Sequence, residues 1–279
     1  MRDDPLSLLA DLLGAGARVE ADVSGDGGAR TWHVVRPRDG DLVVKTAPVG
    51  APGLDLARSS AALQAARAAG VPVPALLAAG ARDGWQYQVC ERVGGRRWSD
   101  VAPTLGPPGR ARVLTALTDV LARLRTVRYP AFGNLGPQDA PASTELDALR
   151  ARSLARTAPG PRRTAVERLL DRHGHLFDGA APAVLVHGDL HHANVLVRPA
   201  AAGWELAAML DWDSAWAGPA DADTARAALW DDMPGTPVAP GPRAAVQQLL
   251  WCLEYPAETE RHRSDTARLA ALLGVPAPA

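Results

Sequence analysis

The chain has 279 residues, nearly half of them apolar, with a formal net charge of -1 and two cysteines. That length suits two lobes or one large domain, and its apolar content is ample for burial. Arginines scattered among acids leave no electrostatic footprint for nucleic acid, no apolar run nears the roughly 20 residues that span a bilayer, and Cys90 and Cys252 lack CxxC spacing.

The opening MRDDPLSLLADLLG predicts an acidic-capped amphipathic helix rather than a signal peptide, so a cytoplasmic location is expected. VSGDGGARTWHVV at 23–35 reads as strand, flexible turn, strand, and DLVVKTAP at 41–48 as an apolar strand carrying Lys45, the only lysine in the chain. The Ala-rich stretch 54–70 predicts a helix that stops at Gly70, before the extended VPVP at 71–74. WQYQVCERVGG at 85–95 alternates large and polar residues, then breaks at paired glycines. Helices are expected near 109–127, 144–157 and 162–176, with the long loop 129–141 between the first two. Helices near 241–255 and 258–273 close the chain.

Two short stretches carry the chemistry: HGDLHHANVLV at 187–197 and MLDWD at 209–213, separated by a gap that would hold one hairpin. The apolar runs before His187, from Asn194 and before Asp211 read as short buried strands. Asp189, Asn194 and Asp211 therefore fall in the connecting turns. A hydroxyl is a poor nucleophile at neutral pH, so phosphoryl transfer needs a carboxylate to orient it and hard oxygen ligands for a metal that shields the phosphates. Asp189 suits the first task, Asn194 and Asp211 the second. A transition-metal reading of histidines 187, 191 and 192 would leave Asn194 and Asp211 without a purpose.

HGDLHHANVLV followed by LDWD resembles the signature of the aminoglycoside phosphotransferase and choline kinase-like family, small-molecule kinases with a protein-kinase-like fold. The resemblance implies a bilobal α+β fold. A small antiparallel-sheet lobe with one main helix would span 1–92, and a larger, mostly helical lobe 93–279. It implies that Lys45 grips the phosphates of ATP or GTP, that Mg2+ is needed, and that the turn containing Ser24, Gly25, Gly27 and Gly28 covers the nucleotide. By the same resemblance, backbone groups of Cys90, Glu91, Arg92 and Val93 would meet the adenine. His187 would brace the catalytic loop, and Asp213 and Asp223 would support the site. AGPADADTARAALW at 217–230 resembles the family's turn and helix after the second Asp, with Asp223 expected to cap or brace a loop.

The chain departs from the family at Ser59, where a glutamate usually pairs with the strand lysine. Asp55 or Asp211 would have to take over that pairing. The implied function is transfer of the γ-phosphate to a hydroxyl of an aminoglycoside-like or other small acceptor, by a monomer or homodimer that needs neither membrane nor nucleic acid. A metabolic kinase of the choline, ethanolamine, homoserine or fructosamine type is the alternative, and a nucleotide-binding regulator with impaired catalysis is another. Asp231, Asp232, Glu254, Glu258 and Glu260 leave two readings open, an acidic cleft for a cationic acceptor or a solvated face.

Overall fold

Alternating burial along one strand orients the first sheet. In the computed structural model, β3 (Leu42–Pro48) turns Leu42 and Val44 into an apolar cluster with Trp32, Val34 and Val89, while Val43 and Lys45 face a cleft. Successive strand residues point to opposite faces, so one apolar set fixes the other. The structure describes residues 13, 16–24, 28–36, 40–135, 142, 144–179, 181–234, 240–255 and 259–276. The expected N-terminal helix, Gly25, Gly27 and Glu258 lie outside them.

β1 (Arg18–Asp22), β2 (Arg30–Val35), β3, β4 (Leu76–Arg82) and β5 (Trp85–Glu91) form one antiparallel sheet in the order β1-β2-β3-β5-β4. The first strand begins and ends earlier than the sequence predicts. Ser24 N donates to Asp22 Oδ1 at 3.0 Å, a local bond that turns the chain where the strand was expected to start. Helix α1 (Leu56–Ala68) begins at Asp55, whose side chain accepts from Arg58 N, and ends at Gly70, whose φ of 76° is the left-handed geometry of a helix stop. Its small buried residues, Ser59, Ala62 and Ala66 among them, pack against β4 and β5.

The rest of the chain is a helical lobe with two small sheets. Helix α2 (Trp98–Val101) leads into α3 (Pro107–Leu124), which buries Val113, Leu117, Val120, Leu121 and Leu124 along one stripe. That spacing is the one-faced period of a core helix, each large side chain contributing roughly 1.5–3 kcal/mol. Helices α4 (Glu145–Arg156), α5 (Pro161–His173), α6 (Ala222–Ala227), α7 (Pro242–Glu254) and α8 (Glu260–Leu273) complete it.

One sheet pairs β6 (Arg96–Arg97), β9 (Val195–Ala200) and β10 (Gly203–Met209) in the order β10-β9-β6. The other pairs β7 (Arg128–Tyr129), β8 (Ala183–Val186) and β11 (Trp216–Gly218) in the order β11-β8-β7. The predicted hairpin between the motifs is present as β9 and β10. The two-residue strands and β11 were not anticipated, because stretches so short carry no alternation to detect.

Candidate active site

β8 is buried at every position, and the chain leaves it directly into His187, Gly188 and Asp189. His187 is fully buried, with its ring centroid 4.6 Å from that of Trp212. Its Nε2 donates to the Leu210 carbonyl at 2.8 Å, because a carbonyl oxygen can only accept. That leaves Nδ1 to accept from Asp189 N at 3.3 Å. Asp223, buried in α6, accepts from His187 N at 2.7 Å and Gly188 N at 2.9 Å. Burial pushes the Asp223 carboxyl up, and the hydrogen bonds from the two amides oppose that. Asp223 therefore braces the loop and does not cap its helix, where Asp221 holds the N-terminal position. Gly188 has φ 78°, and a Cβ there would lie 2.2 Å from the Ser214 carbonyl oxygen, so only glycine fits.

Asp189 is engaged on both oxygens. Arg226 Nη2 donates to Oδ1 at 2.9 Å, Asn194 Nδ2 donates to Oδ2 at 3.2 Å, and His191 Nε2 stands 3.7 Å from Oδ2. Burial pushes the Asp189 carboxyl up, but His191 and the Arg226 guanidinium outweigh it and hold the group well below the usual carboxylate range. Asn194 also reaches the Asp189 backbone oxygen at 3.0 Å, and its own carbonyl accepts from Leu210 N at 2.8 Å. That last bond ties the catalytic loop to the strand that presents the second Asp. Asp211 follows with φ 61°, a strained backbone for a residue with a Cβ.

Across the cleft, Lys45 Nζ donates to Asp213 Oδ2 at 2.8 Å and to Asp211 Oδ1 at 3.0 Å. Burial pulls the ammonium down, but the two carboxylates more than offset it and raise its pKa above the ordinary lysine value. These two carboxylates occupy the lysine where a helix glutamate would pair. Ser59 is buried beside Gln88, whose Nε2 reaches Ser60 Oγ at 2.9 Å, and Asp55 is occupied as the α1 cap. Of the two substitutes the sequence suggested, Asp211 takes the pairing, joined by Asp213.

Lys45, Asn194, Asp211 and Asp213 share the cleft, of about 440 Å3, with the segment from Cys90 to Val93. Glu91 N and Arg92 N are committed to Ala75 O and Asp41 O, both at 2.9 Å. Ser24 turns to Asp22 and accepts from Thr31 N at 2.9 Å, and neither it nor Gly28 lines the cleft, although their neighbours Val23 and Ala29 do. Cys90 and Cys252 are free and buried, and burial pushes each thiol up to about 11.

Sequence reasoning missed Arg226. It lies in α6, within a stretch noted only for Asp223, and no short spacing links it to Asp189. The three histidines do not converge. His192 Nδ1 meets the Asp232 carboxylate at 2.9 Å, His187 is spent on Leu210, and among the described residues no group of three His, Cys, Asp or Glu side chains could hold a metal.

The model of the phosphotransferase enzyme family matches residues 21–259. The chain belongs to that family. A search of curated proteins gives no match. Among solved structures, this phosphotransferase resembles a thermostable mutant of aminoglycoside phosphotransferase APH(4)-Ia in apo form, with TM-score 0.70 and 17% identity over 96% of this chain and 98% of that one. A further variant of that thermostable protein, in a ternary complex with ADP and hygromycin B, gives 0.68 at 17% identity, over 96% of each chain. A protein from Thermobifida fusca YX-ER1 described as a candidate fructosamine-3-kinase gives 0.61 at 24% identity, over 95% of this chain and 98% of that one. At these identities the likeness establishes the protein-kinase-like fold. No described helix of this phosphotransferase is long and apolar enough to cross a membrane.

Proposed function

We propose that the protein transfers the γ-phosphoryl group of ATP or GTP to a hydroxyl of a small molecule. The observation that carries this reading is the convergence of Lys45 from the sheet with Asn194, Asp211 and Asp213 from the helical lobe around one cleft, with Asp189 bonded to Asn194 beside it. The structural neighbour that binds ADP with hygromycin B supports a nucleotide and a hydroxylated acceptor as the two substrates.

Magnesium suits the donor set. Among the described residues Asp213 Oδ1 is buried without a hydrogen-bond partner, and Asn194 uses its amide nitrogen on Asp189, which leaves its oxygen for another contact. Asn194 and Asp211, with Asp213 adjoining, are the residues that would hold the ion, which when bound shields the phosphate charge. Lys45 holds the phosphates as a compact cation. The Cys90 to Val93 segment meets the base, with the Glu91 and Arg92 amides already spent and Val93 among the positions that offer backbone groups to adenine.

Asp189 stays a carboxylate and accepts the hydrogen bond of the acceptor hydroxyl, aligning its oxygen for attack. His187 and Asp223 keep the loop in that geometry. Positioning and charge supply most of the rate in such chemistry. The test is Asp189→Ala with ATP turnover followed in the presence of the true acceptor. Undiminished turnover would sink the assignment of Asp189. Magnesium-dependent nucleotide binding with no transfer to any hydroxyl would favour a regulator with lost catalysis.

A further inference from the structure

Next to the catalytic loop, Arg152, Ser153, Arg226, Gln247, Trp251 and Glu254 line a pocket of about 60 Å3. One water needs only about 10–15 Å3. Gly188 borders it, so the pocket adjoins the catalytic loop.

The polar groups around it are unbalanced toward donors. Arg226 spends Nη2 on Asp189, while its Nε and Nη1 are buried with no partner among the described residues. Among the described residues Trp251 Nε1 and Ser153 Oγ are buried and unpartnered as well. Arg152 donates to the Ser214 carbonyl at 2.8 Å and lies over the Trp216 ring at 4.9 Å, and among the described residues it forms no ion pair. Two carboxylates stand on the wall and both are engaged: Glu254 is bound to Arg156 at 2.7 Å, and Asp223 accepts from His187 N and Gly188 N. Gln247 Oε1 is an acceptor there with no partner among the described residues. Buried donors of this kind are paired in native proteins, so the pocket calls for an acceptor-rich, negatively charged group.

A cationic acceptor fits poorly. An aromatic box suits an ammonium, but here the box is filled from within: the Arg226 guanidinium lies 3.4 Å from the Trp251 ring centroid and 4.0 Å from that of Trp230. Of the acids expected to form a cationic site, Asp232 is engaged with His192, Asp231 with Arg261 and Glu254 with Arg156.

We propose that this pocket is a carboxylate-binding subsite, and that the phosphoryl acceptor is a small hydroxy acid whose carboxylate docks on Arg226 while its hydroxyl reaches Asp189. The acceptor part of this statement rests on the kinase reading; the anion site does not. The test is a titration of the whole chain with sodium formate, followed by the indole N–H signal of Trp251 in 1H-15N spectra and assigned by its loss in Trp251→Phe. Formate is expected to shift that signal saturably, its uncharged counterpart formamide and the polycation kanamycin are not, and Ser153→Ala is expected to weaken formate binding several-fold. An equal response to formamide, which would make this a water site only, a response to kanamycin alone, or no saturable response to formate would each overturn the proposal. Magnesium and AMP-PNP, added separately, report on the cleft through the Trp212 indole. Silence there counts against the kinase reading and leaves the formate result standing.

Discussion

Lys45 on β3 donates to Asp213 at 2.8 Å across 168 positions of sequence, so the ammonium is neutralised by the strand-end carboxylates that follow the catalytic loop rather than by helix α1. The absent helix glutamate is thereby compensated inside the site. Restoring it by Ser59→Glu would bury a charge at a position only 2% exposed, while the lysine already has two partners. We expect a loss of about 2 kcal/mol in unfolding free energy and no gain in turnover. Chemical denaturation and initial rates check both, and a clear rise in kcat would contradict the compensation.

Gly188→Ala places a methyl group against the Ser214 carbonyl and forces an alanine to φ 78°. The strain and clash together are expected to cost about 3 kcal/mol and to abolish turnover, since Asp189 is the next residue. Thermal unfolding of the variant beside an assay at a permissive temperature separates the two effects.

Asp223→Asn keeps the shape but supplies one oxygen where two amides converge, and its NH2 then faces the N–H of His187 or Gly188. A stability loss of about 2 kcal/mol is expected. Steady-state kinetics should show a fall in kcat with little change in the KM for nucleotide, because Lys45 and Val93 are untouched. A change confined to KM would remove Asp223 from the bracing of the loop.

In the folded chain the Asp189 carboxyl lies well below the value of about 3.9 for an unfolded aspartate. Protons then bind the unfolded chain first. Its stabilising contribution is fully present above about pH 4 and drains away as the pH falls through the lower folded value. Urea melts from about pH 6 down to pH 3 should show the wild type losing stability more steeply than Asp189→Asn. Parallel curves would mean that His191 and Arg226 do not hold the carboxylate.

What could be read from the chain beforehand follows the distance over which each signal is written. Asp189, Asn194 and Asp211 stand on a short apolar and polar pattern that also defines β8, β9 and β10, so residues and elements were legible together. Lys45 was legible because strand and cation are contiguous. The pairing of Lys45 with Asp213 was not, since Asp213 carries no local mark that separates it from Asp211. The donor-rich pocket is assembled from α4, α6 and α7, elements far apart in sequence, and its arginines are camouflaged in a chain rich in them. Helix ends moved by a few residues because caps such as Thr144 and Thr259 act through geometry that periodicity does not reveal.

The solitary lysine has a practical consequence. Its ammonium is only 17% exposed and sits in the nucleotide-sized cleft, so every side-chain amine this chain can offer to an acylating or aldehyde reagent is in one place. Apart from the α-amino group, amine-directed chemistry, ordinarily indiscriminate, becomes for this protein a footprint of a single pocket. The extent of labelling at Lys45, read by mass, measures how often that pocket opens and what is sitting in it.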